Sequence, residues 1–340
     1  MSKTSSGTTT GLLLLLAIVA ALVTYKTSGA LGTMSRASSA GMLSVRTGII
    51  DLTAPGDLST VERTVNYLAL IWPALAFGIL ISAAVRTFVP ATALADVLGR
   101  SPARAHLIAG ASGSPLMLCS CCVAPIFSAV YERSARLGPS LALMVAAPAF
   151  NPAALILTFM LFPLPIGAAR VVMSAVAVFA GTALVARISA GGAATAHVPV
   201  AEEARCEAAD QSIVRFVKSC FYVAARTVPL LVVGVVVGMA ISDYLPVVTS
   251  TSWQARAAVI AIIALLAIPI ALPTFFEVPL ALALLSAGAP AGAAVALLFA
   301  GPAVNLPSLF TVGRSAGWKV AAGLAGMVWV VAMAGALLVS

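Results

Sequence analysis

Charged residues are scarce in this chain of 340 residues: only 9% are Asp, Glu, Lys or Arg, whereas 61% are hydrophobic. A water-soluble domain carries about a quarter charged residues, so this composition excludes that class. It also excludes an intrinsically disordered chain, which needs low hydrophobicity and high net charge. Aromatic residues make up only 6%. The apolar mass therefore consists of small aliphatic side chains.

Long apolar runs, by contrast, are abundant and continuous. The strands of an outer-membrane barrel alternate apolar and polar positions, which these runs do not. About 20 apolar residues are enough to cross the hydrocarbon core as a helix. The sequence therefore predicts an all-α polytopic protein of the cytoplasmic (inner) membrane. In such a protein the net charge of +8 is informative about membrane topology, because Lys and Arg concentrate on the cytoplasmic side. The sequence has no basic stripe with interleaved aromatic residues, so we expect no nucleic-acid partner.

Polar interruptions divide the chain into five parts. These are an N-terminal transmembrane helix or signal segment (residues 1–30), a polar connector (31–61), a first membrane repeat (62–188), a soluble acidic loop (189–213) and a second membrane repeat (214–340). The N-terminal choice stays open because Ser28-Gly29-Ala30 resembles a signal-peptide cleavage site. Residues 26–60 contain many Ser, Thr and Gly, so we expect them to be irregular or to lie along the membrane interface.

The two membrane repeats carry the same pattern of helix breaks. Residues 138–151 align with residues 292–305 at a constant offset of 154 (138 to 292). Prolines in an apolar helix free backbone groups that lipid cannot satisfy, so such breaks are tolerated only inside a bundle or beside a water-filled cavity. We therefore expect broken helices and short helical hairpins at the core. The prolines expected to break helices are Pro125, Pro148, Pro152, Pro279, Pro302 and Pro307.

The basic residues predict that the two repeats are inverted. If the arginines that follow residue 85 are cytoplasmic, segment 103–135 returns to the side that it left, and the first repeat begins outside whereas the second begins inside. Most of the 19 Lys and Arg then lie on the cytoplasmic face. Residues on the other face include Lys26, Arg36, Arg46 and Arg63. Inverted repeats with broken helices are typical of secondary transporters, whose site lies near the midplane.

Three cysteines, Cys119, Cys121 and Cys122, crowd into four positions, while Cys206 and Cys220 stand alone. Thiolates are soft ligands that favour Cu(I), zinc and, by the same argument, trivalent arsenic or antimony. The matching stretch 273–277 has no cysteine, so no permanent structural zinc site is expected. We predict that the three cysteines and Ser120 bind the substrate, with the sulfurs as transient ligands. The alternative is that these cysteines are small apolar residues in a tight helix contact.

Glu277 stands in an apolar run, where an ionisable group costs about 2.5 kcal/mol or more and usually marks an ion or proton pathway. We assign proton coupling to Glu277, with an interfacial Glu paired with Arg226 or another bundle residue as the alternative. Asn151 and Asn305 occupy matching places in the two breaks. We expect both to line the substrate site, a role compatible with capping the helix that follows.

Three stretches carry a family resemblance: Cys119-Ser-Cys-Cys-Val-Ala-Pro125, Leu137-Gly-Pro-Ser-Leu-Ala and Ala147-Pro-Ala-Phe-Asn151-Pro152. They resemble a bacterial predicted permease family that includes the ArsP-type organoarsenical efflux permeases. The resemblance spans about residues 62–338 and implies an inner-membrane permease. For the characterised branch it also implies efflux of trivalent methylated or aromatic arsenicals, held by Cys119 and Cys121. Cys122 stands where the family has glycine, and it either adds a third thiolate or replaces a small residue.

The sequence thus predicts a permease that exports a small soft solute, such as a trivalent (organo)arsenical or another thiophilic metal or metalloid species. The alternatives are a permease for an unrelated solute, a membrane-embedded thiol-disulfide oxidoreductase, and a structural membrane protein without a solute path. No catalytic triad, phosphate loop or dinucleotide motif occurs, so we expect neither enzyme activity nor a cofactor. The expected partners are the solute and the lipid bilayer, with a homo-oligomer left open.

Overall fold

The computed structural model describes residues 4–40, 59–88, 102–134, 136–190, 209–242, 252–270, 272, 276–286 and 288–339. These residues form helices and contain no strand, which confirms the predicted all-α class. The helices up to the end of the first half are α1 (Thr4–Ala40), α2 (Thr60–Phe88), α3 (Pro102–Gly113), α4 (Ser120–Ser134), α5 (Leu137–Ala149), α6 (Pro152–Leu161), α7 (Leu164–Ala175) and α8 (Thr182–Ala190). Those of the second half are α9 (Ala209–Ser242), α10 (Trp253–Ala267), α11 (Glu277–Ser286), α12 (Ala291–Ala303), α13 (Leu306–Ala316) and α14 (Trp318–Val339).

Between five and seven helical segments of the described chain are long and apolar enough to cross a membrane. The five single spans are Leu13–Gly32, Ile71–Phe88, Leu164–Ser189, Ile213–Val237 and Trp318–Val339. The span from residue 164 joins α7 and α8 through the π-helical turn Val176–Gly181. Two further spans are bent pairs, α5 with α6 at 41° and α12 with α13 at 46°. The protein is therefore a multi-pass integral membrane protein.

Both bent pairs arise from the same local sequence. Helices α5 and α12 each end one residue after a proline, Pro148 and Pro302, and helices α6 and α13 each carry a proline in their first two positions, Pro152 and Pro307. Proline lacks a backbone N–H and has a fixed φ, so it suits the first turn of a helix and disfavours continuation of the preceding one. The breaks therefore lie between these prolines.

Two of the six prolines do not break a helix, so the expected breaks at Pro125 and Pro279 are wrong. Pro279 is the third residue of α11, where its missing N–H would have no partner in any case. Helix α4 continues through Pro125, which removes one backbone hydrogen bond from its second turn. The hydroxyl of Ser82 on α2 donates to the Pro125 carbonyl at 2.8 Å, and this packing holds α4 in place.

Helix α1 continues to Ala40, so the irregular conformation expected for residues 26–40 is wrong. The hydroxyls of Thr24, Ser28 and Ser35 donate to carbonyls three or four residues earlier. Such bonds let short polar side chains stay in a helix. The remaining connector, residues 41–58, and most of the acidic loop, residues 191–208, lie outside the described residues.

The predicted duplication reappears in the helix bounds. Adding 154 to the bounds of α5 gives those of α12 (137 to 291 and 149 to 303), and the same step carries the first residue of α6 to that of α13 (152 to 306). Helices α2 and α9 correspond as well, since both are long and contain an internal proline, Pro73 and Pro229. The two halves therefore share one order of long helix, short helices, bent pair and final span.

Two pairs of corresponding helices, one from each half, lie side by side and run in opposite directions. The end of α2 contacts the beginning of α9, where the rings of Phe88 and Phe216 stack at 5.7 Å. The final spans, α7–α8 and α14, also run antiparallel, because a later position on one lies beside an earlier position on the other: a Cβ added to a glycine at each place would touch a methionine of the facing span. The pairs are Gly181 with Met327 and Gly335 with Met173.

Candidate functional site

The three clustered cysteines converge on one point. The Sγ of Cys119 lies 3.0 Å from that of Cys121 and 2.9 Å from that of Cys122, and the last two sulfurs are 3.8 Å apart. All three are free thiols and buried, as is Ser120. Cys220 lies half-buried on α9, and Cys206 lies outside the described residues. The cluster is therefore a compact, three-sulfur site enclosed in the bundle.

The cysteines meet because the chain leaves the helical conformation between α3 and α4. Ser114–Leu116 form a 3-10 turn, and Met117 then adopts a left-handed conformation with φ 49°, which costs a non-glycine residue about 1–3 kcal/mol. The hydroxyl of Ser114 donates to the carbonyl of Phe150 at 2.7 Å. This bond ties the turn to the bend between α5 and α6. Cys119 precedes α4 and the other two cysteines lie on its first turn, so their sulfurs can face each other.

Helix α2 covers the cluster on one side. The hydroxyl of the fully buried Tyr67 lies 3.5 Å from the Sγ of Cys121. A Cβ on Gly78 would overlap the carbonyl oxygen of Cys122, so glycine is what allows α2 to pack this closely. Tyr67 is absent from the residues that the sequence predicts. The sequence does contain a sign of its role, because a phenol within an apolar helix needs a hydrogen-bond partner when the side chain is buried.

The sulfur positions suit a shared soft ion. With a metal–sulfur distance of about 2.3 Å and tetrahedral angles, ligand sulfurs stand about 3.8 Å apart. The separation between Cys121 and Cys122 has this value. Cys119 would have to move outward by about 1 Å to match it, a change within reach of a residue in a non-helical segment. The three cysteines can therefore hold a thiophilic centre with a small local adjustment.

Glu277 is buried at the start of α11 and pairs with Arg170 on α7. The Nη2 of Arg170 donates to Oε1 of Glu277 at 2.8 Å, and its Nη1 donates to the hydroxyl of Thr158 on α6 at 2.6 Å. The two charged side chains are only 1% and 3% exposed. The side chain of Arg226, the partner considered from the sequence, lies outside the described residues.

Arg170 is absent from the residues that the sequence predicts, although the signal is present. It is a charged residue within the apolar span Leu164–Ser189, and the argument that singles out Glu277 applies equally to it. The pair joins the last span of the first half to the second half. Because both charges are buried, removal of either one would leave the other uncompensated, at a cost of about 3–5 kcal/mol.

Asn151 and Asn305 occupy the two bends. The Oδ1 of Asn151 accepts from the backbone N–H groups of Ala153 and Ala154 at 3.1 and 3.3 Å, and that of Asn305 accepts from Ser308 at 3.1 Å. Each asparagine therefore caps the helix that follows. The Nδ2 of Asn305 is buried and has no hydrogen-bond partner among the described residues. This bend thus contains a buried amide donor that the described residues leave unsatisfied.

Equivalent positions in the two halves carry different chemistry. At the offset of 154, Cys119, Cys121 and Cys122 correspond to Pro273, Phe275 and Phe276, Glu277 corresponds to Val123, and Arg170 corresponds to Leu324. The scaffold is duplicated, whereas the thiols occur in one half only and the acid of the ion pair in the other. The duplicated fold therefore does not itself require these residues.

Comparisons with known proteins agree with this architecture. A family model described as "Predicted permease" (ArsP_1) matches residues 58–340. The UPF0718 protein YraQ of Escherichia coli (strain K12) is 27% identical over 265 residues, which cover 76% of this chain and 74% of that protein. The UPF0718 protein MJ0584 of Methanocaldococcus jannaschii is 23% identical over 274 residues, which cover 62% of this chain and 75% of that protein. No solved structure matches the chain.

The matched residues include both halves, from the beginning of α2 to the end of α14, and leave out α1. Multiple apolar spans together with this match place the protein in a membrane, which in bacteria is the inner membrane. A permease moves a small solute across the bilayer, so lipid and solute are its partners. The chain belongs to the predicted permease family.

Proposed function

We propose that this protein is a secondary-transporter-like permease that exports a small soft solute, such as a trivalent (organo)arsenical or another thiophilic metal or metalloid species. The observation that carries the proposal is the convergence of three buried sulfurs, 2.9–3.8 Å apart, beside a bend in a membrane span. Three thiols in one place are a ligand set for soft centres. Membership of a permease family supports transport of what they bind.

We infer that the two halves are inverted repeats that move against each other. A two-fold axis along the membrane normal would make corresponding helices parallel, whereas an axis in the membrane plane makes them antiparallel. The antiparallel contacts of α2 with α9 and of α7–α8 with α14 support the second arrangement. Alternating access would then expose the cysteine cluster to one side of the membrane at a time.

The binding step is an exchange of ligands without electron transfer. For a trivalent centre that carries hydroxyl groups, each new bond to sulfur displaces one hydroxide, and the thiol proton leaves with it as water. Cys119, Cys121 and Cys122 supply up to three such bonds. The first turn of α4 carries a partial positive charge that favours negative sulfur. Asn151 and Asn305 line the path at the two bends, and Ser120 completes the turn.

Glu277 couples transport to protons through its ion pair. While Glu277 is ionised, its contact with Arg170 holds α7 and α11 together. Protonation of Glu277 removes the attraction and lets these helices separate, and loss of the proton restores it. If the two states expose Glu277 to opposite sides of the membrane, each cycle carries one proton.

Transport into everted membrane vesicles tests the proposal, because an exporter accumulates its solute inside them. We expect uptake of a trivalent methylated arsenical by the wild-type protein, and a loss of about tenfold or more in Cys119→Ser, since a hydroxyl is a poor ligand for a soft centre. Cys220→Ser is the matched control, because Cys220 lies outside the cluster. Equal accumulation with and without the protein would refute the arsenical, and wild-type rates in Cys119→Ser would refute the thiol site.

A thiol-disulfide oxidoreductase is the second candidate, favoured by the approach of Cys119 to within 2.9–3.0 Å of both other sulfurs. Formation of a disulfide there releases two electrons and two protons, which an acceptor such as a membrane quinone would have to take up. Thiol trapping before and after addition of a quinone distinguishes the candidates. An unchanged count of free thiols excludes the oxidoreductase.

A further inference from the structure

A polar pocket lies between the two halves, at some distance along α4 from the cysteines. It is lined by α2 and α4 from the first half and by α9 and α13 from the second. Its enclosed part is a small cavity of about 30 Å³, and with the open mouth the empty space reaches about 380 Å³. Its charged side chains are Arg86, Glu132 and Arg314. Hydroxyl groups surround them, on Ser82, Ser128, Tyr222, Thr227, Thr311 and Ser315. The lining therefore combines two guanidinium groups and one carboxylate with neutral hydroxyl groups.

The pocket carries an excess of positive charge. Arg86 forms an ion pair with Glu132 and lies over the ring of Tyr222, 4.8 Å from its centroid. These contacts neutralise the one carboxylate of the lining and orient its partner. Arg314 is exposed to the pocket and has no carboxylate partner among the residues that the structure describes. One guanidinium is thus left uncompensated beside a set of hydroxyl groups.

The duplicated scaffold provides an internal comparison for these charges. At the offset of 154, Glu132 corresponds to Ser286 and Arg314 to Met160; α2 aligns with α9 at an offset of 156 (Pro73 with Pro229), where Arg86 corresponds to Ser242. The duplicated fold therefore does not itself require charged residues at these three positions. Concentration of basic residues on the cytoplasmic side accounts for arginines at this end of the helices. It does not account for their convergence, with hydroxyl groups, in a cavity between the halves.

The pocket adjoins the helix that carries the thiols. Pro125 lines its wall, one turn, or about 6 Å, beyond Cys121 along α4. Ser82, which also lines the pocket, donates to the Pro125 carbonyl at 2.8 Å. A solute that reaches this wall is therefore one helical turn from the cysteine cluster.

We propose that this pocket binds a small anion, or the anionic group of a larger solute, through Arg314 and Arg86. Guanidinium groups donate two parallel hydrogen bonds to a carboxylate, phosphate or phosphonate, and this geometry is the strongest that an arginine forms with an anion. Ser82 and Thr311 donate to backbone carbonyls, and Ser128 and Ser315 bond to each other, so the two guanidinium groups are the main donors to the anion. The inference rests on residues outside the thiol site, and it holds whether or not the cysteines bind an arsenical.

Calorimetric titration of the purified protein in phosphatidylcholine nanodiscs with inorganic phosphate tests the site. We expect binding at millimolar concentrations and a loss of about tenfold in Arg314→Gln, since a charged hydrogen bond is removed. Lys319→Gln is the matched control, because it removes a nearby exposed cation that does not line the pocket. A loss of less than about twofold is expected there, as for an exposed charge in salt solution.

Glu132→Gln supplies a test that misfolding cannot imitate. It releases Arg86 from its ion pair, so phosphate should bind several times more tightly. The proposal is overturned if the wild-type protein does not bind phosphate, if Arg314→Gln and Lys319→Gln lose affinity equally, or if Glu132→Gln fails to tighten binding.

A separate titration in nanodiscs that contain phosphatidylglycerol distinguishes a lipid headgroup from a soluble anion. Complete loss of phosphate binding there would mean that a lipid headgroup, rather than a soluble anion, occupies the pocket. Because Cys119→Ser should leave phosphate binding unchanged, failure of the thiol proposal is measured separately.

Discussion

Neutralising one partner of the ion pair between Arg170 and Glu277 should destabilise the protein more than any change at an exposed pair. Both side chains are almost fully buried, at 1% and 3% exposure, so the remaining charge would have neither water nor a counterion. We expect Glu277→Leu and Arg170→Met each to cost about 3–5 kcal/mol. The matched control is Arg86→Gln, because the Arg86–Glu132 pair is 20% and 29% exposed and should contribute only about 0–1 kcal/mol.

The double variant Arg170→Met/Glu277→Leu separates stability from function. Replacement of a whole buried ion pair by apolar residues is often neutral or stabilising, by about 1–4 kcal/mol. We therefore expect the double variant to recover most of the stability that either single variant loses, as measured by thermal unfolding in nanodiscs. It should still fail to transport in response to a proton gradient, because no titratable group remains at this position.

Two results would refute this reasoning. If the double variant is no more stable than the single variants, the pair does not act as a unit and the buried charges are compensated by other groups. If the double variant is stable and retains proton-driven transport, Glu277 is a structural residue and the coupling group lies elsewhere. The coupling energy from the four proteins, wild type included, distinguishes these outcomes in one set of measurements.

Two further predictions concern helix α2 where it packs over the cysteine cluster. Gly78→Ala should destabilise the protein by about 1–3 kcal/mol in thermal unfolding, because the added methyl overlaps the Cys122 carbonyl and forces α2 away. The control is Gly326→Ala, whose methyl meets nothing within 4 Å and should leave stability unchanged or raise it. Equal effects of the two substitutions would contradict the close packing. Tyr67→Phe keeps the ring but removes the hydroxyl beside Cys121, so it should cost about 1 kcal/mol and change the rate at which maleimide labels the cluster. An unchanged labelling rate would show that the phenol does not contact the thiols.

Local features of the sequence account for much of the fold. Long apolar runs predict the membrane spans, and paired prolines on either side of Asn151 and Asn305 predict the two bends. Both follow from backbone chemistry within a few residues, namely the missing proline N–H and the length needed to cross lipid. The prediction is wrong at Pro125 and Pro279, because the effect of a proline depends on its distance from the helix end and on the packing around it.

The functional partners depend on contacts that local sequence does not specify. Arg170 lies 107 residues from Glu277, and only the packing of α7 against the second half brings them together. The cysteines are neighbours in sequence, yet residues i and i+2 diverge on a helix, so their convergence requires the left-handed Met117 and the bond from Ser114 to the bend.

A helical membrane protein with two matching halves thus follows from the amino-acid sequence alone, because hydrophobic length, proline position and the repeat offset can be read without knowledge of the packing. Which polar groups meet depends on the packing of the helices: three sulfurs lie beneath Tyr67, a buried ion pair joins the halves, and Arg86, Glu132 and Arg314 line one pocket. In a membrane interior these few polar groups must satisfy one another, since lipid offers no hydrogen bonds. Their pairing is a property of how the helices pack, and the chemistry of the site follows from it.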